Sequence, residues 1–255
     1  MTTERKNSPP YSEEIFPPSE DYYFEGHHRL PAVNRLWELT KPTSSNFSSL
    51  YRKSLFFVNS VPDKMFHYRP FYVEKPDGTK RLIFAACPEM RAVQKALTGW
   101  LDRSFPKSID FCYRRGRGVE DAVGHHLEGK PRYGYVFDLR HAFLKITDKM
   151  LERELRLYLG EENTEVISAF ADFTTVARRL REGTVCAPFG FNLIMKPFDN
   201  AMKILTKEKD LILSGEENDF ELTFSRYADN CAFLSPRPLD FEKLKRQVQR
   251  FVKGH

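Results

Sequence analysis

Two aspartates carry the chemistry this sequence suggests. Asp229 lies in Phe224-Ser225-Arg226-Tyr227-Ala228-Asp229-Asn230-Cys231-Ala232-Phe233-Leu234, where two short apolar runs, Leu222–Phe224 and Cys231–Leu234, flank a polar turn. That pattern predicts a β-hairpin with Asp229 at its tip. Asp138 closes Tyr135-Val136-Phe137, an apolar run rich in β-forming residues. Most turn aspartates serve only an Asx-type hydrogen bond. A second carboxylate at a strand end changes the reading, because a rigid turn between strands can present a carboxylate to a cation. Two strand-borne aspartates can bridge divalent cations about 3.5–4 Å apart, a pair that stabilises both the attacking and the leaving oxygen in phosphoryl transfer. Magnesium suits the role, since it takes carboxylates, waters and phosphate oxygens.

Other elements must bring a phosphorylated substrate to these aspartates. Phe71-Tyr72-Val73 and Arg81-Leu82-Ile83-Phe84 read as strands around the turn signal Pro76-Asp77-Gly78, so residues 68–84 form a hairpin with Lys75, Lys80 and Arg81 on its arms. Basic arms can close over a triphosphate and neutralise it; a solvated hairpin with lysines kept for solubility is the competing reading. Arg114, Arg115 and Arg117, set among Tyr113 and two glycines, suit contacts to a phosphate backbone, against a plain surface loop.

The periodicity predicts helices at Met90–Leu101, after Thr147 with Met150, Leu151 and Leu155 on one face, at residues 193–205, and at Asp240–Val252. Pro88 falls near the start of the first. A short helix is expected at Leu36–Leu39, a short strand at Phe173–Val176, and a polar loop at Lys207–Asp219. His125 reads as a structural hydrogen-bonding histidine. Arg52 and Lys53, near Tyr51, Phe56 and Phe57, either touch a nucleic-acid strand or belong to a small helical region packed beneath the hairpin.

Asp138 with Phe143 five positions on, then Tyr227-Ala228-Asp229-Asn230, resembles motifs A and C of a reverse transcriptase. Between them, Leu180-Arg181-Glu182-Gly183-Thr184-Val185-Cys186-Ala187-Pro188-Phe189-Gly190-Phe191-Asn192 resembles the family's Leu-Pro-Gln-Gly-x-Pro-x-Ser-Pro-x-x-x-Asn stretch, with Asp199 in the helix that follows. The likeness covers roughly residues 66 to 252, and the bacterial retron and group II intron enzymes are the nearest relatives it suggests.

The resemblance implies an α/β (α+β) right-hand fold whose antiparallel palm sheet is backed by helices. Residues 1–60 would form an arm and a small helical region, 61–135 the fingers and 136–255 the palm, with the two interleaving around 155–180. It implies RNA-directed DNA polymerisation, with an RNA template, a DNA or RNA primer, deoxynucleoside triphosphates and two magnesium ions, or manganese in their place. Asp138 and Asp229 would be catalytic. They would hold the metals with the Leu139 carbonyl and Asn230. Lys75 and Arg81 would meet the triphosphate, and Phe143 would exclude a 2′-hydroxyl, the group that separates RNA from DNA. Gly183 would let backbone approach the nascent pair, with Tyr227 and Ala228 near the primer end and Arg114, Arg115 and Arg117 on the template.

Three departures stand out. Asn230 replaces the usual second aspartate, and Asn is a neutral ligand. Glu182 replaces a glutamine and adds a negative charge that is unfavourable unless paired. The sequence stops at His255, before the family's thumb. These leave three readings: a polymerase fragment, a protein that takes a thumb from a partner protein, or a weakened palm that binds RNA without polymerising. Another two-metal transferase, such as a nucleotidyl cyclase, accounts less well for the Arg81 hairpin and the Gly183–Asn192 loop together.

Composition is consistent with this. A chain of 255 residues, 41% hydrophobic, can bury a substantial core, and its net charge of +5 is compatible with nucleic acid without requiring it. Cys87, Cys112, Cys186 and Cys231 lack any paired CxxC spacing, so reduced thiols rather than zinc are expected. No apolar run is long enough to span a bilayer and no signal core opens the chain, so no membrane partner and a cytoplasmic setting are expected. Residues 1–25, rich in Pro, Ser, Glu and Tyr, read as a flexible or extended arm.

Overall fold

The computed structural model describes residues 30–40, 45–60, 64–104, 116, 118–213 and 222–254. The N-terminal arm and Arg114, Arg115 and Arg117 lie outside these. Helices α1 (Leu30–Thr40) and α2 (Ser45–Ser60) come first. The Leu36–Leu39 helix is thus longer than its sequence signal. Leu36, Tyr51, Leu55 and Val58 are fully buried, so this face of the pair is core, while Arg52 and Lys53 are exposed.

Strands β1 (Tyr68–Glu74) and β2 (Lys80–Ala86) form the expected hairpin, with Val73 opposite Arg81 and Phe71 opposite Ile83. Its turn is closed by Lys75 N–H to the Thr79 carbonyl at 2.8 Å and by the Asp77 carboxylate, which accepts from the Thr79 amide and hydroxyl. Gly78, at φ +77°, supplies the left-handed residue this turn needs. Helix α3 (Pro88–Ser104) follows, burying Met90, Val93 and Leu97.

After α4 (Val119–Leu127), strand β3 (Tyr133–Asp138) enters the second sheet. A one-turn helix α5 (Ala142–Lys145) and then α6 (Asp148–Leu159), capped by the Thr147 hydroxyl on the Met150 amide, lead to α7 (Thr164–Thr174). Here the sequence misleads: Phe173 and Thr174 are helical, not extended. Helix α7 buries Val166, Ile167, Ala169, Phe170, Ala171 and Phe173, leaving only a narrow polar stripe of Glu165, Ser168 and Asp172, and its C-terminal Phe-Thr-Thr-Val letters favour a strand. The β-branched Thr174 and Thr175 end it by turning their hydroxyls back to the Ala171 carbonyl.

Helix α8 (Ala187–Leu205) begins six residues before the expected 193, with Pro188 in its first turn and Pro197 inside it. Gly190 allows that early start to pack, since a Cβ there would stand 3.2–3.3 Å from Leu180 and Leu151. Strands β4 (Thr223–Tyr227) and β5 (Asn230–Ser235) and helix α9 (Phe241–Gly254) complete the mixed α/β fold.

The second sheet is antiparallel in the order β3-β5-β4, with Asp138, Asn230 and Tyr227 in one row across it. Alternation divides its faces. Tyr135, Phe137, Phe224, Cys231 and Phe233 turn toward α8 and α9 and form one core with Phe198, Met202, Leu244 and Val248. A second core joins α1, α2, β2, α3, α6 and α7 to the first half of α8, and Met195 touches both.

On the other face, α4 is tethered to β4 through His126, not through the expected His125, which is exposed. The His126 ring nitrogens lie 2.6 Å from the Thr223 and Ser225 hydroxyls. Burial, with His125 beside it, holds the His126 imidazole down at about 4. The unfolded chain takes up this proton near 6.5, so the tether is fully present above that pH and is lost as pH falls toward 4. Between about pH 7 and about pH 4.5 the melting temperature should therefore fall more steeply for the wild-type chain than for His126→Gln; parallel curves would show that His126 plays no part in the acid response.

Candidate active site

Asp138 ends β3 and Asp229 closes the Ala228–Asp229 turn between β4 and β5, so cross-strand pairing sets the two side by side at one end of the sheet. The join is direct: the Leu139 amide donates to the Asp229 carbonyl at 3.0 Å. Partial burial, and then the Asp229 charge, push the Asp138 carboxyl above its usual range; the Leu139 amide, His141 and Lys75 offset this in part. Two carboxylates side by side on an open cleft, one of them raised by the other's charge, are a hard-oxygen donor set that a divalent cation would relieve. Among the described residues no group of three or more His, Cys, Asp or Glu gathers as a metal cage. The candidate donors are these two with the Leu139 carbonyl and Asn230, whose amide donates to the Asp229 carboxylate at 3.3 Å. The Leu139 carbonyl already accepts from the Ala142 amide at 3.2 Å.

These groups open on a cleft of about 710 Å³. Arg81, from β2, and Glu182 form one wall, and Phe143 and Gly183 line it as well. Arg81 Nε donates to Glu182 Oε2 at 2.9 Å, so the added charge at 182 is paired. The Phe143 ring, only 8% exposed, stacks on Phe191 with centroids 4.5 Å apart and planes at 18°. Of the residues singled out in sequence, Asp138, Asp229, Asn230, Arg81, Phe143 and Gly183 share this cleft. Lys75 stands at the hairpin turn, where its charge reaches Asp138. Tyr227, the last residue of β4, and the buried Ala228, in the turn, do not line the cleft.

A family model described as reverse transcriptase (RNA-dependent DNA polymerase) matches residues 73–255. The chain belongs to the reverse transcriptase family. No curated protein matches the sequence. The family match takes in β2, the Glu182–Pro188 loop and both aspartates, the same pieces that meet in the cleft. No described helix is long and apolar enough to cross a membrane.

Two residues that sequence reading passed over hold this reverse transcriptase site in shape. Arg226 is fully buried beneath the Asp229 turn. It forms a two-pronged pair with Asp199 on α8, Nε to Oδ1 at 2.7 Å and Nη2 to Oδ2 at 2.8 Å. Its Nη1 donates to Asn192 Oδ1 at 3.2 Å and to the Ala228 carbonyl at 2.9 Å. Ala228 sits at φ +57°, a conformation a non-glycine residue resists, and the Arg226 bond holds its carbonyl there. Gln94 on α3, also fully buried, accepts from the Val185 amide at 3.1 Å and donates to the Tyr68 hydroxyl and the Phe173 carbonyl. It fixes the loop that carries Glu182 and Gly183. The signal for both was polarity at an inward position: Gln94 within the apolar period of α3, and Arg226 on the apolar face of β4.

Gly183 has φ +95°, and a Cβ there would lie 2.4 Å from Ile83 Cγ2 and 3.0 Å from the Phe84 carbonyl oxygen. Gly183→Ala should therefore push β2 off the loop; unchanged protection of the Phe84 amide from hydrogen exchange would contradict this contact. Arg226→Met leaves the Asp199 charge buried without its partner, a loss of roughly 3–5 kcal/mol for pairs of this kind. A urea midpoint equal to that of the wild-type chain would show that the pair does not anchor the turn.

Proposed function

We propose that the chain is an RNA-directed DNA polymerase, with residues 61–135 as fingers, 136–255 as palm, interleaved around 155–180, and 1–60 as an arm and helical region. The observation that carries this reading is one cleft that gathers Asp138 and Asp229 with Arg81, Phe143 and Gly183, in a chain of the reverse transcriptase family.

The primer 3′-hydroxyl attacks the α-phosphorus of a deoxynucleoside triphosphate. A new P–O bond forms as the bond to the β-phosphate bridging oxygen breaks, and pyrophosphate leaves. Asp138 and Asp229 would hold divalent magnesium, with Asn230 as a neutral neighbour; the bound cations supply charge stabilisation and alignment. Arg81 and Lys75 meet the triphosphate's negative charge. Phe143, held flat by Phe191, lies under the sugar and leaves no room for a 2′-hydroxyl. Gly183 brings backbone close to the nascent pair.

The test is primer extension on an RNA template by the purified chain with magnesium and deoxynucleotides. Asp138→Ala should abolish extension, and full activity in that variant would sink the assignment. Phe143→Ala should raise ribonucleotide incorporation relative to deoxynucleotide. An unchanged sugar preference would remove Phe143 as the gate. If the wild-type chain binds RNA in a salt-sensitive way yet never extends a primer, the weakened, RNA-binding reading takes over.

A further inference from the structure

The pairing of Arg81 with Glu182 bears on how a triphosphate enters the cleft. Glu182 belongs to a loop fixed by its backbone: its carbonyl accepts the Phe84 amide at 2.9 Å, and Gly183 beside it packs against Ile83 and Phe84. The side chain is therefore not needed to dock β2 on the loop. What it adds is a carboxylate 2.9 Å from Arg81 Nε, inside the cleft that holds Asp138 and Asp229.

The charges facing the cleft are thus three carboxylates, Asp138, Asp229 and Glu182, against Arg81 and the nearby Lys75. A triphosphate meets its arginine already neutralised, and it meets a negative charge beside that arginine.

We propose that Glu182 competes with the triphosphate for Arg81, weakening nucleotide binding through its charge. The inference rests on the cleft being the nucleotide site. It goes further by assigning Glu182 a role opposed to substrate binding. A carboxylate in this position also makes the cleft depend on bound cations, because a metal-free triphosphate faces an excess of like charge.

Glu182→Gln isolates the charge. The amide oxygen can still accept from Arg81 Nε, so the geometry of the pair is kept while the negative charge is removed. Binding of dATP and of inorganic triphosphate is measured calorimetrically, with and without magnesium, for the wild-type chain, Glu182→Gln, Arg81→Gln and the double variant. Loss of one unit charge from a partly solvated site should tighten binding about three- to tenfold at low salt, with a smaller gain in high salt. Arg81→Gln should weaken binding. The gain from Glu182→Gln should shrink by more than half in the Arg81→Gln background, because the competition has lost its object.

Equal or weaker binding by Glu182→Gln overturns the proposal, and so does a gain of the same size without Arg81. No triphosphate binding by any variant overturns both the proposal and the nucleotide site. Tighter binding by Glu182→Gln with no primer extension supports the proposal and counts against the polymerase reading alone.

Discussion

A guanidinium buried beneath a β-hairpin must find oxygen partners or pull the hairpin apart. Arg226 meets this constraint with two oxygens of Asp199, one of Asn192 and the carbonyl of Ala228. The first two partners belong to α8 and the last to the turn that presents Asp229. The pair therefore ties the position of a catalytic candidate to the helix that runs through both cores. It also explains how a non-glycine residue persists at φ +57° in that turn: local strain is held by surroundings that over-determine it. The Leu139–Asp229 hydrogen bond then carries the same restraint across to β3 and Asp138.

Two departures from the family pattern look like separate defects in sequence and like one redistribution in space. At 230 a carboxylate is absent, and the amide that replaces it donates to Asp229 instead of repelling it. At 182 a carboxylate is present, on the Arg81 side of the cleft. The number of acidic groups lining the cleft is the same as with an aspartate at 230 and a glutamine at 182, but one has moved from the sheet to the loop beside β2.

Much of the site was legible because its chemistry sits on strand-like segments. Asp138 and Asp229 end or join short apolar runs rich in strand-forming residues, and the Pro76-Asp77-Gly78 turn is a strong local signal. The end of helix α7 was not legible, because its last residues, Phe173 and Thr174, run into Thr175 and Val176 as a β-favouring string, and its polar stripe of Glu165, Ser168 and Asp172 is narrow. The start of α8 was hidden by prolines and glycine that read as loop punctuation but serve here as a first-turn residue and a close-packing position. The histidine tether at His126 was not legible, since neighbouring histidines on a helix differ only in which way they face. Arg226, Asp199 and Asn192 were all visible as letters. Their meeting depends on the packing of β4 against α8, which no local pattern encodes.

The aromatic stack beside the cleft reaches into the core. Phe143 lies flat on Phe191, and the Arg226 guanidinium sits over the other partner of that stack, 5.2 Å from the Phe191 ring centroid. A cleft-lining ring, a spacer ring and a buried charge are thus linked by contact. A lineage that shrank Phe143 would also loosen the ring against which its buried guanidinium packs. Cleft shape and foldedness are thus inherited together, and a drift in one would have to be matched by repacking in the other.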